Sequence, residues 1–308
     1  MAQHVTAGVD ATTESLAAAH WAAREALRRG AGLRLVHAWR GQPGLVPPVS
    51  ADTARRRVAE RDLRRSVASV RAAHPGLRME DVLLSASPVA VLLAAAEEAE
   101  VLVLGSRGLG RIAGFALGSV SQRVLARSSR PVVLVRAGET TADEHLPALD
   151  GVSPEEIPET PYRDVVLGLD TEHPSDELLG FAFESARRRD AGLRVIHAMG
   201  AVPAHADDGP PDTAPPGEPL AGRDHILVAA LRPWCEKFPR VPVTESVAEG
   251  RAAAELVHAS ACASLLVVGR RRRDAHLGPH IGSVTHAVLH HARCPVAVVP
   301  HASMGDSA

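Results

Sequence analysis

The chain repeats itself. Val5–Asp10 reads VTAGVD and Val165–Asp170 reads VVLGLD, while Gly32–Trp39 (GLRLVHAW) returns as Gly192–Met199 (GLRVIHAM). Further on, Gly118-Ser119-Val120 returns as Gly282-Ser283-Val284, and Pro131–Val135 (PVVLV) as Pro295–Val299 (PVAVV). The offset is 160 residues early (165 − 5) and 164 late (282 − 118). Matches that keep order and nearly constant spacing mean that one domain has been copied. A chain of 308 residues has room for two domains of ordinary size. Whatever the first half folds into, the second must fold into as well.

Within the first copy, short apolar runs alternate with helical stretches. Val5–Val9 reads as a strand with Asp10 at its carboxyl end. Thr12, Thr13 and Glu14 open a helix whose stripe carries Leu16, Ala19, Ala23, Ala26 and Leu27, and Gly30 and Gly32 end it. Leu33–Ala38 is a strand, residues 40–50 are a Pro/Gly loop, and an Arg-rich helix runs from Asp52 to about Ala73. Strand Met79–Leu84, a Pro88-initiated helix to Glu98, strand Val101–Leu104, helix Gln122–Ser128 and strand Val132–Val135 complete the copy. Strands separated by helices predict a parallel sheet with right-handed crossovers, so each copy is α/β, with five parallel strands and helices on both faces.

Between Ala137 and Pro161 lie seven acidic residues and four prolines with no apolar period, which reads as an acidic Pro-rich linker. The expected domains are therefore 1–137 and 162–301, with linker 138–161 and tail 302–308. Residues 200–222 read as a surface loop after the second strand of the second copy.

The stretch Gly105–Val120 (GSRGLGRIAGFALGSV) sits between a buried strand and a helix. Glycines there let an anion approach the backbone, and a helix N-terminus adds partial positive charge. Ser119 stands where an N-cap hydroxyl would, and Arg107 and Arg111 can fork onto phosphate oxygens. A Walker loop is excluded, because no Gly-Lys-Ser/Thr occurs and Lys237 is the only lysine. A dinucleotide fingerprint needs its glycines after the first strand and an acid about 20 residues later; here the loop comes late and no acid follows until Glu139. A glycine-rich surface turn is the plain alternative.

The spacing Gly105-x2-Gly108-x9-Gly118-Ser119 resembles the ATP-binding signature of the universal stress protein family, G-x2-G-x9-G-S/T, and Val5–Asp10 resembles its first strand and acidic residue. The resemblance spans nearly the whole chain as two tandem copies. It implies Rossmann-like domains of the adenine nucleotide α-hydrolase-like kind, with ATP, alone or with Mg, as ligand of the first. By the resemblance, Gly8 and Asp10 face the ribose or adenine side and Ala38 offers its backbone to adenine. Gly105, Arg107, Gly108, Gly110, Arg111, Gly118, Ser119 and Val120 wrap the triphosphate. In the second copy Gly168, Asp170, Gly269, Gly282, Ser283 and Val284 stand at matching positions, but Arg272, in the run Arg270–Arg273, replaces the middle glycine. Weaker or absent ATP binding is expected there, with the run as a solvated face. The resemblance also implies dimer-like packing of the two copies through Val132–Val135 and Val296–Val299, with a homodimer and an unidentified regulatory protein as further partners.

Other features bound the function. The formal net charge of −2 and 3% aromatic content argue against nucleic acid. The longest apolar run, Val89–Ala96, is too short for a membrane span, no signal peptide is visible, and the three cysteines form no disulfide framework, so a cytoplasmic location and buried thiols are expected. His276/His280 and His286/His290 are four apart, a spacing that can share a metal on a helix, but no carboxylate or Cys completes a set. His37 and His197 read as hydrogen-bonded fold residues. With no GxSxG elbow, HExxH or carboxylate pair tied to a nucleophile, no enzyme activity is expected. The competing readings are a nucleotide-free interaction module and a slow ATPase.

Overall fold

The computed structural model describes residues 4–39, 49–109, 113–116, 118–146, 160–171, 174–199, 220–249, 251–272 and 281–302. The first half contains β1 (His4–Gly8), α1 (Thr13–Arg29), β2 (Gly32–Trp39), α2 (Val49–Ala73), β3 (Met79–Ser85), α3 (Pro88–Glu98), β4 (Val101–Leu109), β5 (Ala113–Ala116), α4 (Ser119–Arg127) and β6 (Val132–Arg136). After one short helical turn, α5 (Thr141–Glu144), the second half repeats the pattern. It contains β7 (Val165–Gly168), α6 (Asp176–Arg189), β8 (Leu193–Met199), α7 (Leu220–Lys237), β9 (Val243–Glu249), α8 (Ala252–Ala259), β10 (Leu265–Arg271), α9 (Ser283–His291) and β11 (Val296–His301).

The two halves share one sheet, in the order β3-β2-β1-β4-β6-β11-β10-β7-β8-β9, with β5 paired to β4 alone. Apart from the short β4–β5 pair, strands within each half are parallel, but β6 and β11 meet antiparallel, Val296 opposite Leu134 and Val298 opposite Val132. Each would otherwise be an exposed apolar edge, and the pairing satisfies both backbones at once. Alternate side chains of the strands supply opposite faces. Val101, Val103, Val133, Val135, Leu265 and Val267 pack with α1, α2, α6 and α7. Leu102, Leu104, Val132, Leu134, Leu266 and Val268 pack with α3, α4, α8 and α9.

The acidic segment is not a simple tether. Glu144 is fully buried between the halves; it accepts from Arg24 Nη2 at 2.5 Å and from Arg28 Nη1 at 3.0 Å. Arg28 also donates to the Tyr162 hydroxyl at 3.1 Å, and His145 bridges Tyr162 in the backbone ladder. Residues 147–159 lie outside the described ones. From the second half, Arg189 crosses to Glu25 of α1 at 3.0 Å. Charge, read from sequence as solvated linker, is here part of the seam.

Glu139, beside the β6–β11 junction, has one carboxylate oxygen buried without a hydrogen-bond partner. Burial and the nearby Asp143 carboxylate push its carboxyl up to about 8, against the pull of Arg136. The folded state therefore holds this proton more tightly than the unfolded chain does. The stabilisation is complete below the ordinary carboxylate range and is lost as pH rises through about 8. Native protein should lose melting temperature across that window, whereas Glu139→Gln should not. Equal slopes for the two in thermal denaturation would contradict this placement of the proton.

Candidate functional site

β1 is flanked by β2 on one side and β4 on the other, so the chain direction across the sheet reverses there. Open α/β sheets bind ligands at such a crevice, outside the carboxyl ends of the strands. The starts of α1 and α4 border it. A methyl group on Gly105 would lie 2.6–2.7 Å from the Glu14 carbonyl and the Ser15 amide, so only glycine lets β4 pass this close to α1. Packing also explains Gly8, whose methyl would meet Leu92 and Leu104 at 2.8 Å, as well as Gly168, which meets Leu256 at 2.8 Å, and Gly269, which meets His301 at 2.7 Å. These glycines serve the fold whether or not a ligand is present.

Gly118 and Gly282 differ. Neither has any atom within 4 Å of where a Cβ would stand. Their φ values of −63° and −57° suit any residue. Neither packing nor φ requires glycine at either place; both glycines are the N-caps of their helices, a position that favours glycine over alanine and leaves the first helical N–H groups uncovered. Gly118, not Ser119, is the N-cap of α4; Ser119 is the first helical residue, and no side chain caps the helix. The ladder starts with Gln122 N–H donating to Gly118 O at 2.9 Å, so the N–H groups of Ser119, Val120 and Ser121 have no acceptor within the helix. The Ser121 hydroxyl reaches Gly105 O at 3.4 Å, and its counterpart Thr285 reaches Gly269 O at 2.9 Å, tying each helix start to the strand end beside it. Val120 is partly buried against the core, whereas Val284 is 38% exposed.

Asp10 is exposed and locally engaged: its Oδ1 accepts from Thr12 N at 3.2 Å and from Thr12 Oγ1 at 2.6 Å. Thr12 in turn caps α1 by accepting from Ser15 N. Asp10 thus sets the cap without being the cap. Ala38 lies in β2 opposite Leu84. Its neighbour Trp39 lines a cleft of about 530 Å³ under α2, where Arg56 and Arg64 already pair with Glu60. His37 Nδ1 stands 2.6 Å from Val9 O and His197 Nδ1 3.1 Å from Leu169 O, the same tie in both halves.

The glycine-rich stretch is more ordered than an open loop. β4 continues through Arg107 and Gly108, which pair antiparallel with Ala116 and Phe115 of β5. β5 lies alongside α9 of the other half. Gly110 and Arg111 lie outside the described residues.

In the second half the arginine run is solvated at Arg271 and Arg272, as expected, but not at Arg270. Arg270 is buried and crosses the seam to donate to Ala126 O at 3.1 Å and to Ser128 O. Those carbonyls end α4, the helix whose other end borders the crevice, and a cation there complements the helix dipole. Arg271 donates to Asp170 Oδ2 at 2.7 Å, and Arg272 stands 4.0 Å from Glu177. The counterpart of Asp10 is thus held by an arginine. Arg273 lies outside the described residues. Sequence reasoning missed Arg270 because a run of four arginines shows no internal sign of which one turns inward. Cys294 is buried as expected, but Cys262 is exposed.

The model of the universal stress protein family matches residues 1–136 and again 161–300. The chain belongs to the universal stress protein family. A universal stress protein of Mycobacterium tuberculosis is 32% identical over 305 residues, covering 96% of this chain and 97% of that one. One of Mycolicibacterium smegmatis is 30% identical over 304 residues, covering 96% of each. The crystal structure of a universal stress protein from Archaeoglobus fulgidus shares the fold at a TM-score of 0.68, with 17% identity, over 96% of this chain and 98% of that one. Among the described residues of this universal stress protein, no helix is long and apolar enough to cross a membrane.

Proposed function

We propose that this universal stress protein binds ATP in its first half and that occupancy alters how it meets a regulatory protein partner. One observation carries the reading. Gly118 begins an uncapped helix at the switch-point crevice, and neither its φ nor its packing requires glycine. The N–H groups of Ser119, Val120 and Ser121 would receive the phosphates, and a polyanion gains most where such donors are already aligned. Ala38 and the Asp10 turn would border the nucleoside, and Mg, if present, would neutralise phosphate charge. ATP acts as a ligand, and none of these residues is given a hydrolytic role.

The second half shares the open Gly282, but Arg271 holds Asp170 and Arg272 replaces the middle glycine. One nucleotide per chain is therefore the expected number. A nucleotide-free interaction module is the second reading. The β4–β5 ladder favours it, because the strand pairing engages the backbone of Arg107 and Gly108 that the first reading would turn to phosphate. Titration calorimetry with ATP on the full chain separates the two. One equivalent supports the proposal, two overturn the assignment of the second half, and no heat at millimolar ATP overturns nucleotide binding altogether.

A further inference from the structure

His286 and His290 stand one turn apart on α9, with their Nε2 atoms 3.3 Å from each other and their ring centroids 4.4 Å apart. We infer that this pair chelates a borderline divalent transition metal, of the class of Zn²⁺, Ni²⁺ or Cu²⁺. Two imidazole nitrogens held at about 2.0–2.1 Å by one tetrahedral zinc stand roughly 3.3–3.4 Å apart. The observed separation matches that value, and with the ring centroids 4.4 Å apart a modest rotation of the two side chains aims both nitrogens at one cation, which replaces their shared hydrogen bond.

The backbone places the two residues on one face, one turn apart, before any metal arrives. Thr285, Val288 and Leu289 bury the opposite side of α9 against the sheet, while His286 is exposed and His290 half-buried. The pair belongs to the second half alone: at the late offset of 164 residues, the counterparts are Gln122 and Ala126. The copying therefore did not carry the pair along with the fold. Water or another small ligand completes the coordination sphere. Imidazole donors favour Cu²⁺ over Ni²⁺ and Zn²⁺ and discriminate against Mg²⁺, which prefers oxygen. The site is thus chemically separate from any Mg that accompanies ATP, and it does not depend on the nucleotide reading. Because β5 of the first half lies alongside α9, a metal that stiffens this helix acts at the contact between halves.

The test is calorimetric titration of the chelator-treated full-length protein with NiCl₂, ZnCl₂ and MgCl₂. The chain has 16 histidines, so the variants decide the location. His286→Ala and His290→Ala should each weaken nickel and zinc binding at least tenfold. His291→Ala should leave it unchanged, and MgCl₂ should give no heat in any of them. Affinity equal to native in both pair variants, or no nickel or zinc binding at millimolar metal, overturns the site. As a measurement on the unaltered protein, one equivalent of Cu²⁺ should show two nitrogen ligands by electron paramagnetic resonance. Fewer than two overturns the chelate.

Discussion

Replacing Glu25 by alanine is expected to lower stability by about 3–5 kcal/mol, the cost of removing one partner from a buried ion pair. Glu25 is 1% exposed and accepts from Arg28 at 3.0 Å, Arg29 at 2.7 Å and Arg189 at 3.0 Å. Two of these arginines come from its own helix and the third from the other half, so this carboxylate ties the halves at one point of the seam. Glu144 serves Arg24 and Arg28 but makes no hydrogen bond to Arg189. Without Glu25, Arg189 keeps a bond to the Ser185 carbonyl, a place near Trp21 and the more distant attraction of the Glu144 carboxylate, but it loses the one carboxylate that bonds it directly.

The pH dependence follows from the same contacts. Burial pushes the Glu25 carboxyl upward, but Arg189, Arg28 and Arg29 outweigh it and hold it below the usual range. Glu144 is lowered in the same way by Arg28 and Arg24. A depressed carboxylate stabilises fully above its unfolded value and loses that contribution as pH falls through the folded one. The gap between native protein and Glu25→Ala should therefore be widest near neutrality and close in acid. Urea unfolding followed by the fluorescence of Trp21, which lies 5.7 Å from the Arg28 guanidinium, measures it. A loss of less than about 1 kcal/mol at neutral pH would show that the pair is not holding the halves.

The second large effect separates two glycines that the sequence treats alike. Gly105→Ala should cost about 1–3 kcal/mol, because the new methyl would lie 2.6–2.7 Å from the backbone of Glu14 and Ser15, which cannot yield as a side chain would. Gly118→Ala meets nothing within 4 Å and should cost only the N-cap preference for glycine over alanine, about 0.5–1 kcal/mol. Its ATP affinity should nevertheless fall at least tenfold. Thermal denaturation and ATP titration of both variants check this. Native-like ATP affinity in Gly118→Ala would remove the observation on which the functional reading rests.

Much of the fold was legible because duplication doubled every signal. VTAGVD and VVLGLD, and PVVLV and PVAVV, mark the central strands of both halves, and their apolar content reflects burial on both faces. Glycine roles were not legible. Gly8, Gly105, Gly168 and Gly269 carry the same letter as Gly118 and Gly282, yet packing explains the first four and not the last two. That difference exists only once α1, α3, α8 and β11 have been laid over the strands. The charge roles were hidden for a related reason. Glu144 in an acidic stretch and Arg270 in an arginine run look solvated until the antiparallel β6–β11 junction brings the halves together. The hairpin of β4 with β5 was missed because its glycines read as loop formers and its strands are too short to show an alternation.

Photolabelling of the intact protein with 8-azido-ATP, followed by peptide mapping, asks directly where the nucleotide sits. Saturable label, competed by ATP and confined to peptides of the first half near the ends of β1 and β2, is the predicted result. Label carried by the second half, or label that ATP does not displace, would contradict the account.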